Sequence, residues 1–341
     1  MTKTTIVALF SLIFMVFHAE LITKGAASGL LLWYSSVVPA LFPFMVLSAM
    51  LSVSGGISRL VRPFAVIFRF SGLSPEGIYV LLTGLFCGCP MGAKTCADFL
   101  TEKRISPGEA RFLFALCNHP SPMFLTGFVY PMFAAHIPLS SFVFAIYMPL
   151  LLLAIPAYRI YRNASPRHSD VPFSSCNPKF GDASGSVFSL DTAILDSAEI
   201  LVKIGGYLIF YSILILVIQN THGIPDPVRL FFSGVLEITT GIRSVSDSLP
   251  YPYSAIAAAA IFSFGGFSAM SQTNAVLRLH RSSAETAATA APNVFLQNSL
   301  YRTEKTAGLS IRQYLLWKIA HAALTAAIMA VLTGVLRFHI F

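Results

Sequence analysis

The sequence predicts an all-α polytopic membrane protein made of two inverted repeats, each carrying a broken, re-entrant helical hairpin. Three observations predict it. The chain has 341 residues, of which 55% are hydrophobic and 11% charged, with a mean hydropathy of +0.71; a soluble domain carries about 25% charged residues. Six charge-free blocks run through it, at 4–19, 25–58, 112–158, 204–224, 248–277 and 319–336, and a helix crossing a bilayer needs about 20 mostly apolar residues. Five elements recur in the same order in the two halves. This composition excludes an ordinary cytosolic enzyme and a disordered chain. The net charge of +8 sits between apolar blocks, where it sets topology and carries no nucleic-acid signal. The five cysteines are odd in number and lie mostly in apolar segments, which argues against a disulfide framework.

Residues 1–28 read as an N-terminal membrane helix and loop. Its positive region is a single Lys3, and His18-Ala19-Glu20 is a poor cleavage site, so 4–22 reads as a retained helix. Residues 29–161 form the first repeat: a crossing at 29–54, an amphipathic segment at 57–71, a glycine-broken segment at 76–98, a crossing with a polar interruption at 107–134, and a crossing at 138–158. The last two share the 47-residue charge-free block 112–158 and join near Ala135 to Pro138. Residues 162–190, rich in Ser, Pro, Gly and Asn, form a cytoplasmic linker. Residues 191–341 form the second repeat. Its amphipathic start, 191–203, runs into the crossing 204–220, and 228–245, 252–277, 285–302 and 313–336 follow. Phe86 to Ala93 pairs in pattern with Ser263 to Met270.

Arg59, Arg62 and Arg69 precede the first broken segment, and Lys103, Arg104 and Arg111 follow it. Both ends are therefore expected on the cytoplasmic side, which makes the segment a re-entrant hairpin. Sixteen of the 23 Lys/Arg, Lys318 among them, then fall inside. Six lie outside (Lys24, Arg229, Arg243, Arg278, Arg281 and Arg337), and Lys94 lies within the hairpin. The second half starts on the opposite side from the first, as in the inverted repeats of many secondary transporters. The four arginines around the second broken segment run against the positive-inside rule.

Irregular backbone at membrane depth survives only inside protein or beside a cavity. Gly88-Cys89-Pro90-Met91-Gly92 reads as a kink or as a hairpin tip offering free N–H groups to a solute. Lys94, two residues on, is a solute ligand, a snorkelling side chain, or the partner of Asp98. Asn118-His119-Pro120-Ser121-Pro122 interrupts the next crossing, its two prolines freeing backbone carbonyls while Asn118, His119 and Ser121 offer donors and acceptors, and Pro292-Asn293 with Gln297-Asn298 stand at the matching place. Glu237, in a segment that also holds Thr240, binds a coupling cation or solute, caps a helix, or pairs with Arg243. Gly265 and Gly266 break the second apolar segment, and Ser268, Ser271, Gln272 and Asn274 follow. Cys87, Cys89, Cys96 and Cys117 lack zinc spacing, so no metal and no cofactor is expected. No GxxxxGK[ST], HExxH or nucleophile elbow occurs, so the chain reads as no enzyme.

Five motifs, in order, are similar to those of the YlbJ-type sporulation integral membrane proteins: Val38-Pro-Ala-Leu-Phe-Pro-Phe44, Gly88-x-Pro90-x-Gly92-Ala93-Lys94, Asn118-His-Pro-Ser-Pro-Met-Phe124, Gly234-x-x-Glu237-Ile-Thr-Thr-Gly241, and Ser263-Phe-Gly-Gly-Phe-Ser268 with Gln272. That family carries the nucleoside-recognition or Gate domain. The resemblance implies a fold like that of concentrative nucleoside transporters, a spore-forming bacterium, and a place in the cell membrane, there the mother-cell-derived outer forespore membrane. It implies movement of dipicolinic acid, with Gly88 to Lys94, Asn118 to Ser121, Glu237 and Gly265 to Gln272 facing the cavity. Residues and resemblance together point to a transporter of a small, polar, anionic solute, working by alternating access in the lipid bilayer. The coupling ion, H+ or Na+, and a homo-oligomeric state stay open. The alternatives are a non-transporting scaffold of the sporulation machinery and a nucleoside or metal-ion permease. No nucleic-acid partner is expected.

Overall fold

The computed structural model describes residues 3–53, 61–63, 72–162, 190–289 and 309–339, and every regular element among them is helical. Helix α1 (Lys3–Phe17) is apolar all round and exposed along nearly its whole length. It bends by 99° at His18 into α2 (Ala19–Leu32). A π-helical turn, Trp33–Val37, leads on into α3 (Val38–Val53). Helix therefore runs through residue 28, where the sequence suggested a loop. Glu20 and Lys24, the charges that interrupt the apolar pattern there, pair at 2.7 Å one turn apart on the α2 surface.

Three helical starts share one device. Ser74, Ser106 and Ser121 each accept the backbone N–H three residues on, from Gly77, Glu109 and Phe124, and each is followed by proline. The hydroxyl satisfies a donor that a helix start leaves free, and proline lacks an N–H where none is needed. These starts open α4 (Pro75–Phe86), α6 (Pro107–Leu116) and the short turn Pro122–Phe124. Between the first two, α5 (Met91–Thr101) folds back on α4 as a hairpin. A Cβ at Gly84 or at Gly92 would strike the Cys117 carbonyl, so both glycines are required for the broken end of α6 to lie in the hairpin. After the break and a π-helical turn, α7 (Leu139–Arg162) crosses back.

Helix α8 (Leu190–Asn220) has 31 residues and joins the amphipathic stretch to the crossing, as its sequence suggested. It buries Ala193, Ser197, Ile200, Leu201, Ile204, Leu208, Ser212 and Ile215, a helical stripe. That stripe meets α2, where Gly25 and Gly29 bring the two backbones together. Helices α9 (Asp226–Leu236) and α10 (Ile238–Ser248) form a second hairpin about the extended residue Glu237, with Gly234 against Gly241. Helices α11 (Tyr253–Phe264) and α12 (Gly266–Thr289) meet at Gly265-Gly266, whose φ values are +86° and +77°. Helix α13 (Ile311–His339) closes the chain and packs on α7 and α11.

Leu139–Tyr161, Leu190–Asn220, Tyr253–Leu277 and Ile311–Gly334 are each long and apolar enough to cross a membrane, and α1 with α2 makes a bent fifth candidate. Three expectations need correction: 29–54 is no span of its own but follows on from the bent pair, 107–134 is a short helix, a break and two turns instead of one crossing, and the second broken segment is no hairpin. Residues 252–277 do not fold back: α11 and α12 run on as a single 25-residue span broken at its glycines. The second hairpin is 226–248, because an extended Glu237 lets α10 lie on α9 while two left-handed glycines interrupt the ladder without reversing the axis. Pairing Phe86–Ala93 with Ser263–Met270 thus sets a hairpin against a span. The linker 163–189, most of the amphipathic segment 57–71, and 290–302 with Pro292, Asn293, Gln297 and Asn298 lie outside the described residues.

Candidate functional site

Four helix breaks meet in the interior. The tip Cys87–Pro90 lies on the break Cys117–Ser121, where the Cys89 N–H donates to the His119 carbonyl at 2.8 Å. Gly88, at φ +79°, has no room for a side chain there. Gly266 lies in the same way on Leu236, Glu237 and Ile238, so the break in α11–α12 packs on the second hairpin. The start of α12 also faces the first tip: the Cys89 thiol is 3.5 Å from the Ala269 carbonyl and 3.3 Å from Thr273 Oγ1.

Helix α13 supplies what the breaks surround. Tyr314, Lys318, His321 and Thr325 recur at four, three and four residues, so they share one face, and all are buried. Lys318 is 1% exposed. It stands seven residues into the helix, roughly 10 Å along the axis at about 1.5 Å per residue. Its Nζ donates to the Asn118 carbonyl at 3.3 Å and lies 3.1 Å from His119 Nδ1. The Tyr314 hydroxyl donates to the same carbonyl at 2.9 Å and accepts from Asn118 Nδ2 at 2.8 Å. Asn118 Nδ2 also donates to Thr273 Oγ1 at 2.9 Å. The His119 and His321 rings meet edge to face at 4.7 Å. The two nitrogens of His321 face the carbonyls of Ser263, at 3.3 Å, and Ile146, at 2.8 Å. Ser263 Oγ donates to Thr325 Oγ1 at 2.9 Å, which ties α11 to α13.

Among the described residues no carboxylate pairs with Lys318. An ammonium has three N–H donors, and two of them have protein partners here. With Nδ1 accepting from Lys318, the proton of a neutral His119 is on Nε2. That nitrogen and Asn118 Oδ1 are buried without partners. The site therefore offers one positive charge, an imidazole donor and an amide acceptor, the complement of a small anion that also carries a donor.

Of the residues read as solute ligands, Gly88, Asn118, His119 and Gly265 surround this cluster; a Cβ on Gly265 would lie 3.6 Å from Lys318 Cε, while Pro90 starts α5, its carbonyl accepting the Lys94 N–H at 3.0 Å. The others have structural partners. Lys94 pairs with Asp98 at 2.9 Å, one turn on along α5. Glu237 caps α10, its two oxygens accepting the N–H groups of Thr239 and Thr240 at 2.9 and 2.7 Å. Ser121 is a helix cap, Gly92 packs under Cys117, and Gly266 packs on the second hairpin. Ser268 accepts from Gln272 at 3.2 Å, and Ser271 meets the Tyr211 hydroxyl at 2.7 Å, joining α12 to α8. Tyr314, Lys318, His321 and Thr273 went unread in the sequence. Lys318 stands just before the charge-free block 319–336, so it passed for a flanking topological charge. The signal that finds it is the stripe Tyr314, Lys318, His321, Thr325 on an otherwise apolar helix.

Compared with known proteins, the chain is 29% identical over 300 residues to "Sporulation integral membrane protein YlbJ" of Bacillus subtilis (strain 168), covering 76% of this chain and 71% of that protein. This similarity supports membership of the YlbJ-type family, the one its motifs resemble. No family model and no solved structure matches the chain.

Proposed function

From YlbJ-type family membership and the chemistry around Lys318, we propose that this chain is a membrane transporter of a small, polar, anionic solute. The observation that carries the reading is a buried ammonium with no carboxylate partner among the described residues, next to a buried imidazole nitrogen without a partner. A lone charge at this depth is expensive, and residues of this kind mark solute pathways. A carboxylate that takes the third N–H of Lys318 and the Nε2–H of His119 satisfies both.

The two halves repeat one order of parts. Hairpin α4–α5, broken α6 and crossing α7 correspond to hairpin α9–α10, broken α11–α12 and crossing α13. These are two inverted repeats that rock against each other, and access alternates across the packed breaks. By resemblance the solute is dipicolinic acid, whose two carboxylates suit the ammonium and imidazole. The protein then works in the cell membrane of a spore-forming bacterium, in the mother-cell-derived outer forespore membrane.

The test is uptake by the purified protein in liposomes, with pyridine-2,6-dicarboxylate, uridine and a divalent metal offered separately. The reading expects the dicarboxylate to enter and expects Lys318→Gln to reduce that entry. Entry of uridine or metal without any anion overturns it.

A further inference from the structure

We infer that the anion moves together with a proton, and that the cluster of Lys318, His119 and His321 holds that proton. The inference rests on the anion-transporter reading and deepens it by naming the coupling ion. The ionisable groups facing the Lys318 amine are known from each side. Helix α13 brings Tyr314, whose ring centre is 5.9 Å from Nζ, and His321; the break 117–121 brings His119; the tip 87–90 brings Cys89. The glycine break brings only backbone. None of these groups is a carboxylate.

A charged Lys318 therefore has no carboxylate inside the protein to balance it, and an anion at this depth has no other positive charge to bind. Each makes the other favourable: a carboxylate beside Nζ stabilises its proton, and the proton stabilises the carboxylate. Linkage is reciprocal, so solute and proton bind as a pair. A sodium ion finds no place in this account, because the cluster presents a cation where sodium needs oxygen anions.

The histidines give the proton a way to and from Lys318. His321 has a carbonyl oxygen at each ring nitrogen, and only an imidazolium can donate to both. His119 accepts at Nδ1 from Lys318 and stands edge-on to His321, between them. Two positive charges this close repel, so the three groups carry at most one. It sits on Lys318 while the anion is bound; when the anion leaves, the proton leaves with it, and the empty cluster is neutral. No bond other than N–H is made or broken, and the proton enters and leaves with the solute.

The experiment uses the full chain in liposomes, with the membrane potential clamped at zero by potassium and valinomycin and protein-free vesicles as the control. Pyridine-2,6-dicarboxylate uptake is followed together with internal pH, read by trapped pyranine. With one proton per solute, an outside-acid gradient should concentrate the dicarboxylate about tenfold per pH unit, with internal acidification, and a sodium gradient should do neither. Lys318→Arg keeps a charge that does not dissociate. It should still exchange labelled for unlabelled dicarboxylate and should lose accumulation driven by the pH gradient. Entry of the anion that ignores the pH gradient and leaves pyranine unchanged overturns proton coupling and leaves the anion-transporter reading in place. No entry of the anion under any gradient overturns both.

Discussion

At Lys318 the chain places an ammonium two helical turns inside an apolar span, with a carbonyl and an imidazole for company. Lys94 shows the contrast. It is 27% exposed at its side chain and one turn from Asp98, a pair worth a few tenths of a kcal/mol. Lys94→Gln should therefore move the thermal midpoint in detergent only slightly and leave apparent affinity for the dicarboxylate within about twofold; a large loss of affinity would put Lys94 back in the site. For Lys318→Gln the midpoint without solute should hold or rise, since a buried amine that is costly to charge is replaced by a neutral amide. A purely structural lysine would instead lower it. Sequence made Asn118 and His119 legible, because a polar pair just before two prolines in an apolar block has few uses. It hid Lys318, because charge counting sees where a charge-free window begins and not where the helix begins.

Among the elements, the hairpin α4–α5 depends on close approach. A methyl group at Gly84 or Gly92 meets the Cys117 carbonyl, which is held by the backbone of the break and cannot move aside cheaply. Gly84→Ala should destabilise the protein by about 1–3 kcal/mol, the scale of an overpacked core, read as a lower melting temperature in detergent. Gly127→Ala, with open space around it, should not. The first hairpin was legible because glycines flank a proline at its tip. The second was not: its reversal at Glu237 has neither glycine nor proline at the turn, only an extended acid that caps the next helix. The glycine pair at 265–266 is the louder break in the sequence, and it interrupts a span without reversing it.

Across the whole molecule, the charge-free blocks anticipated the spans 139–161, 190–220 and 311–334, but 107–134 is a short helix with a break and 29–54 is no span of its own; the meeting of four breaks around α13 required tertiary packing to see. The proposed inverted arrangement puts the 162–190 segment, which carries the native Cys176, on the cytoplasmic side. With the other cysteines replaced, Cys176 should react with a membrane-impermeant maleimide only from the cytoplasmic face; labelling from outside would undo the inverted arrangement. The central claim is that a small anion binds at Lys318. Calorimetric titration of pyridine-2,6-dicarboxylate into the purified protein and into Lys318→Gln tests it most directly. Loss of one charge-assisted hydrogen bond should weaken binding by about 1–3 kcal/mol, or roughly 5- to 150-fold, in a variant that remains folded. Equal affinity in the two proteins, or no binding to either, would contradict it.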